Sequence, residues 1–126
     1  MKRLLIAALA LCLAGAALAS DLDDARDALR QRQYEQALRA ADAHLASHPQ
    51  DADGLVVKAV ILGQLGRTAE AIQLDEDTIR LYPALPEPRN NLAVLYASLG
   101  QYEKARAALE AALHTHPSYA AAYDNL

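Results

Sequence analysis

The amino-acid sequence predicts an all-α fold, a stack of antiparallel helix hairpins. Three observations lead there. Apolar residues recur at the three-and-four spacing of amphipathic helices. The 126-residue chain is rich in Ala and Leu and has no Phe and no Trp. Alanine is the strongest helix former, and no alternating run of β-branched or aromatic residues suggests a sheet. Glycine and proline also punctuate the periodic runs at a fixed interval, with Pro49, Pro83 and Pro117 spaced 34 residues apart.

The segment from Pro86 to Pro117 defines the unit. One run carries Leu92, Ala93, Tyr96 and Leu99. A second carries Tyr102, Ala105, Ala108, Leu109 and Ala112, and the two meet at Gly100 and Gln101. Glycine takes the left-handed conformation that ends a helix without steric cost. Pro117 stops the second run because it lacks an N–H and restricts the residue before it. The same unit recurs upstream: Ala25, Ala59 and Ala93 keep the 34-residue step, as do Ala37, Ala71 and Ala105, and Gly66 and Gly100. With Leu92, Ala93, Tyr96, Gly100, Tyr102, Ala105, Leu109, Ala112 and Pro117 in phase, the chain resembles the tetratricopeptide repeat (TPR) family, whose unit has this length. The resemblance implies a right-handed superhelical α-solenoid. Its repeats would fall at about 20–51, 52–85 and 86–119, with a partial fourth at 120–126.

Taken in order, the chain opens with a segment that reads as a signal peptide over residues 1–19. Met1-Lys2-Arg3 is a positive start, Leu4 to Ala16 an apolar core, and Ala17-Leu18-Ala19 a small-residue cleavage site before Ser20. The apolar run is shorter than the roughly 20 residues of a spanning helix, so no stable membrane span is expected after cleavage. The expected location is periplasmic or secreted. Cys12, the only cysteine, lies in this segment, so the mature chain would have no disulfide or thiol chemistry.

The first mature helix is expected from Asp21 to about Gln31. Its single apolar stripe of Leu22, Ala25, Ala28 and Leu29 suits an element with one flank in water. Tyr34 to about Ser47 follows. Asp51 is a good N-cap type for a helix running roughly from Gly54 to Leu65. That helix is apolar almost all round, as the middle of a stack requires. Gly66 ends it, and Thr68 to about Leu81 completes the hairpin. Asp75 stands where the family prefers a bulky apolar residue, and Asp75-Glu76-Asp77 is expected to be a solvated face. Ala84 to Pro88 is a short connection into the third unit. Tyr123 and Leu126 fall where a fourth first helix would carry its aromatic and its leucine. Two readings of this end are open: a short docking helix, or part of a longer protein.

Composition narrows the function. Without Lys2 and Arg3 the chain keeps ten basic against sixteen acidic residues, a net charge of −6, which argues against a nucleic-acid binder. Stacked hairpins form an extended concave face. The resemblance implies that the first helix of each repeat lines it and receives a peptide or partner helix. Helical projection places Asp53, Val56, Val60 and Gln64 on this stripe in the second repeat, and Glu87, Asn90, Val94 and Ser98 in the third. Asn91 lies beside it, where related repeats often carry an asparagine that bonds a ligand. The inferred groove is mostly neutral. Lys58 and Arg89 lie off it, so the basic clamp of family members that bind a C-terminal carboxylate is not expected.

Catalysis finds no support. No phosphate-binding glycine loop or nucleophile elbow occurs. His44 and His48 have one-turn spacing, but both sit near a helix end, where a histidine interacts favourably with the dipole. No metal and no cofactor is expected. The sequence therefore reads as an exported, non-enzymatic scaffold for protein partners. The alternatives are the non-catalytic repeat region of a larger envelope enzyme or assembly factor, a metal or ligand binder using His44 and His48, and a homo-oligomer formed through the C-terminal helix.

Overall fold

A computed structural model describes residues 20–126, and the signal-peptide expectation lies outside these. Seven helices follow one another: α1 (Asp21–Arg30), α2 (Tyr34–Ser47), α3 (Ala52–Gln64), α4 (Thr68–Leu81), α5 (Glu87–Ser98), α6 (Tyr102–Thr115) and α7 (Ala120–Asn125). No strand occurs among the described residues. The helices pair as three hairpins, α1 with α2, α3 with α4 and α5 with α6. Each hairpin packs on the next, and α7 lies against α5 and α6.

The turns inside the hairpins share one geometry. After α3, the Gly66 N–H donates to Gly63 O and the Arg67 N–H to Leu62 O at 2.9 Å. After α5, the Gly100 and Gln101 N–H groups donate to Ala97 O and Tyr96 O. These paired bonds satisfy carbonyls that a helix end leaves free, and they require a left-handed residue. Gly66 and Gly100 supply it at φ 76° and 74°. In the first hairpin the same bonds form, from Arg32 to Leu29 O and from Gln33 to Ala28 O, but the left-handed residue is Arg32, at φ 59°.

The turns between hairpins are equally regular. His48, Tyr82 and His116 each precede a proline and cap their helices at φ −134°, −132° and −137°. Proline excludes helical backbone from its predecessor, so three different side chains adopt one conformation. Starts are fixed by side chains where the backbone leaves donors free. Ser20 Oγ accepts from the Asp23 N–H, and Asp51 Oδ2 accepts from the Gly54 N–H at 3.0 Å. The Asp51 cap starts α3 at Ala52, two residues before the expected Gly54.

Alanines make the close contacts. Ala25, Ala37, Ala59, Ala71, Ala93 and Ala105 are all buried, with Ile61, Leu62, Leu95 and Leu109 filling between turns. The apolar core has two bodies. One joins the first two hairpins and takes in Leu95 from α5; the other joins the third hairpin to Ala122 of α7. Asp75 and Thr78, buried polar residues of α4, stand near the division. The expected solvated face is thereby corrected. Asp75 is 0% exposed because its turn of α4 faces α5, while Glu76 and Asp77 are half-exposed. The 34-residue step aligns Asp75 with buried Ala41 and buried Leu109, so it occupies a core position.

Candidate interaction groove

Helices α1, α3 and α5 carry equivalent stripes, and the predicted groove residues can be placed on them. In α3, Asp53 and Gln64 are exposed, whereas Val56 and Val60 are half-buried. Val60 and Gln64 combine with Leu29, Arg30, Arg32 and Tyr34 to line an open cleft of about 440 Å³ between the first two hairpins. In α5, Glu87 and Ser98 are exposed and Val94 is 49% exposed. The Ser98 Oγ donates to Leu95 O at 2.6 Å, so its proton stays within its own helix. Asn90 Oδ1 accepts from Asn125 Nδ2 of α7 at 3.0 Å.

Asn91 has a partner inside the fold. Its Nδ2 donates to Asp75 Oδ2 at 2.6 Å, joining α5 to α4. Burial pushes the Asp75 carboxyl up to about 7, and the Asn91 bond opposes that shift. Asp75 Oδ1 has no hydrogen-bond partner. A carboxylic acid held without water or a counter-charge prefers its neutral form.

The first repeat contributes two residues that projection of the later repeats left out. Arg26 occupies the position of Val60 and Val94, and Arg30 that of Gln64 and Ser98. The 34-residue step carries the signal for both. Arg26 reaches Asp53 of α3 at 3.5 Å and Asp23 at 3.6 Å, while Arg30 pairs with Asp27. At the first-repeat end of the groove Arg26 and Arg30 therefore each face a carboxylate, while exposed Arg32 also lines the cleft. Lys58 and Arg89 are engaged elsewhere. Lys58 Nζ lies 2.7 Å from Asp42 Oδ1, and Arg89 Nη1 donates to Pro83 O at 2.6 Å.

The histidines form a junction. His44 Nε2 and Asp51 Oδ2 hydrogen-bond at 2.8 Å, tying the end of α2 to the start of α3. The His48 ring stacks on His44 with centroids 4.9 Å apart. The bond from His44, with that from the Gly54 N–H, holds the Asp51 carboxyl below its usual range. Among the described residues, no group of three or more His, Cys, Asp or Glu is placed to hold a metal. No helix among them is long and apolar enough to cross a membrane.

Chemically, this surface offers half-exposed valines flanked by amides and paired charges. Such a surface binds by apolar contact with a few orienting hydrogen bonds. A stack of helix hairpins presenting one continuous face is an α-solenoid. Two family models, both described as tetratricopeptide repeat, match residues 22–86 and 64–126. The chain belongs to the tetratricopeptide repeat family.

No curated protein matches the chain. Among solved structures it is similar to the first TPR of Spaghetti (RPAP3) bound to the HSP90 peptide SRMEEVD, at TM-score 0.75 and 16% identity over 84% of each chain. It is also similar to the Sgt2 TPR domain from Aspergillus fumigatus, at TM-score 0.78 and 17% identity over 84% of this chain and 72% of that one. A Thermobaculum terrenum O-GlcNAc transferase mutant matches at TM-score 0.78 and 25% identity, over 89% of this chain but 22% of that one. These likenesses show the fold, a stack of helix hairpins like those of solved TPR domains.

Proposed function

We propose that the protein is an exported scaffold of the cell envelope whose groove, formed by α1, α3 and α5, receives an extended peptide or partner helix. The observation that carries the reading is the open cleft at Val60 and Gln64, where aliphatic side chains stay accessible between hairpins. Asp53, Val56, Glu87, Asn90 and Val94 extend the binding surface. The amide of Asn91 is spent on Asp75, so its contribution is to hold the second and third repeats in register.

The ligand differs from a tail such as SRMEEVD. Lys58 and Arg89 are bonded within the fold, and Arg26 and Arg30 already face carboxylates. Leu29 and Val60 in the cleft suit an aliphatic side chain of the ligand. The positive start and apolar core of residues 1–19 support export.

The test is affinity capture from envelope extract with the full-length protein, compared with Val60→Glu and Gln64→Ala variants of equal helicity. A shared set of partners lost from the Val60→Glu variant is the expected outcome. An unchanged set removes the groove assignment. A second reading is the non-catalytic repeat region of a larger enzyme or assembly factor, favoured by the match to 22% of the transferase. An immunoblot of the native protein at a mass well above 13.6 kDa would select it.

A further inference from the structure

The first hairpin turn is built against its own backbone preference. Gly66 and Gly100 take the left-handed conformation in the second and third turns, and one step upstream the residue is Arg32, at φ 59°. Among the described residues it is the only non-glycine at positive φ. A Cβ crowds the following carbonyl in that conformation, so glycine is the less strained residue here. The turn's hydrogen bonds run between main-chain groups, and the Arg32 side chain adds nothing to them. It is exposed. Strain that the turn itself does not require points to a role for the side chain.

Arg32 and Tyr34 line two adjoining clefts. One is the groove cleft at Leu29 and Val60. The other, of about 520 Å³, is lined with them by Arg39, Leu65 and Glu35. Among the described residues, every lysine and arginine side chain except Arg32, Arg39 and Arg106 has a carboxylate, a carbonyl or, for Lys104, the Tyr96 ring as partner. Two of these three unpartnered guanidinium groups thus stand in one cleft, on a chain of negative net charge. Glu35 is the one carboxylate lining that cleft, and its charge also favours the protonated form of Arg67. Two cations against one anion leave the cleft electropositive. A guanidinium is planar and presents paired donors that match the two oxygens of a carboxylate.

On the basis of the groove reading above, we infer that Arg32, with Arg39 beside it in the cleft, is a specificity-determining residue. Its guanidinium binds a side-chain carboxylate of the ligand, next to the aliphatic side chain that Leu29 and Val60 receive. An extended segment advances ~3.3 Å per residue, so the two side chains come from nearby positions of the ligand. One acid is recognised rather than a run of them, because Arg26 and Arg30 are already committed to carboxylates of the fold. The first turn thus forgoes a more stable glycine and gains a charge at the mouth of the groove.

Panning a phage library of random peptides on the immobilised full-length protein tests this. The expected result is a consensus with an aliphatic residue and, within about three positions of it, an aspartate or glutamate. A synthetic peptide of that consensus and its counterpart with the acid replaced by the matching amide are then titrated by fluorescence anisotropy. The amide peptide should bind the wild type about fivefold more weakly. Arg32→Gly should bind both peptides equally, at the weaker affinity, while melting at a higher temperature than the wild type. Arg106→Gln alters an exposed, unpartnered cation outside the cleft and should leave both affinities unchanged. An aliphatic consensus without an acid overturns the inference and keeps the groove. An acid whose contribution survives in Arg32→Gly overturns it too. A library that yields no enriched peptide removes the groove reading along with it.

Discussion

The two junctions between hairpins are built differently from equivalent positions. At the first, the facing residues are Ala41 of α2 and Val57 of α3, inside a continuous apolar body. At the second, the same positions hold Asp75 and Asn91, joined by one hydrogen bond, and the apolar body divides there. The Ala41–Val57 contact depends on shape and burial and contains no titrating group. The polar junction depends on one proton. Repeats of one architecture can thus have different sensitivities at successive seams, because a single buried pair sets each.

The largest predicted effect follows from that proton. Asp75 titrates near 7 in the folded chain and at 3.8 in the unfolded one. The folded state binds the proton more tightly, so the associated stability is complete below pH 3.8 and is lost as pH rises through about 7. The distance from 3.8 to about 7 corresponds to at most roughly 4 kcal/mol. Urea denaturation should show the protein more stable at pH 5 than at pH 8, and Asp75→Asn should remove most of that difference. Stability equal at both values would discard the buried-acid account. Asp51 acts with the opposite sign. Its lowered carboxyl contributes stability above pH 3.8 that is lost on further acidification, so the optimum lies between the two windows.

The next prediction exchanges the junctions. Asp75→Ala with Asn91→Val copies the first junction onto the second, and its denaturation midpoint should be level across pH 5 to 8. Asn91→Ala alone strips the carboxyl of its remaining partner. It should cost about 1–3 kcal/mol, more at pH 8 than at pH 5. If the double variant proves less stable than Asn91→Ala alone, the two seams are not interchangeable.

The smallest effects concern the hairpin turns. Gly66, Gly100 and Arg32 share a left-handed backbone, which disfavours any side chain with a Cβ. Arg32→Gly should stabilise by about 1 kcal/mol and Gly100→Ala should destabilise by a similar amount. A Cβ at Gly100 meets nothing within 4 Å, so thermal melts of the two variants report backbone strain without a packing term.

The hairpins were legible because glycine and proline act through the local backbone. The bounds Tyr34–Ser47 and Thr68–Leu81 follow from Pro49, Gly66 and Pro83. Helical projection puts the candidate groove on α3 and α5, and of its residues Val60 and Gln64 line the cleft. Arg26 and Arg30 do not stand out because a helix with a single apolar stripe reads as an end cap, although the period aligns them with Val60 and Gln64. The burial of Asp75 was illegible locally. Three acids in a row read as solvent-facing, and only the step to Ala41 and Leu109 reveals a core position. The His44–Asp51 bond crosses a proline turn, and neither residue type demands the other.

His48, Tyr82 and His116 differ as side chains yet share nearly one pair of torsions. The angle through which each hairpin is swung from the last is therefore written into the main chain by the prolines that follow. Curvature and cargo preference become separable: valines and amides along the inner wall can be exchanged in an evolving lineage while the arc that presents them keeps its radius.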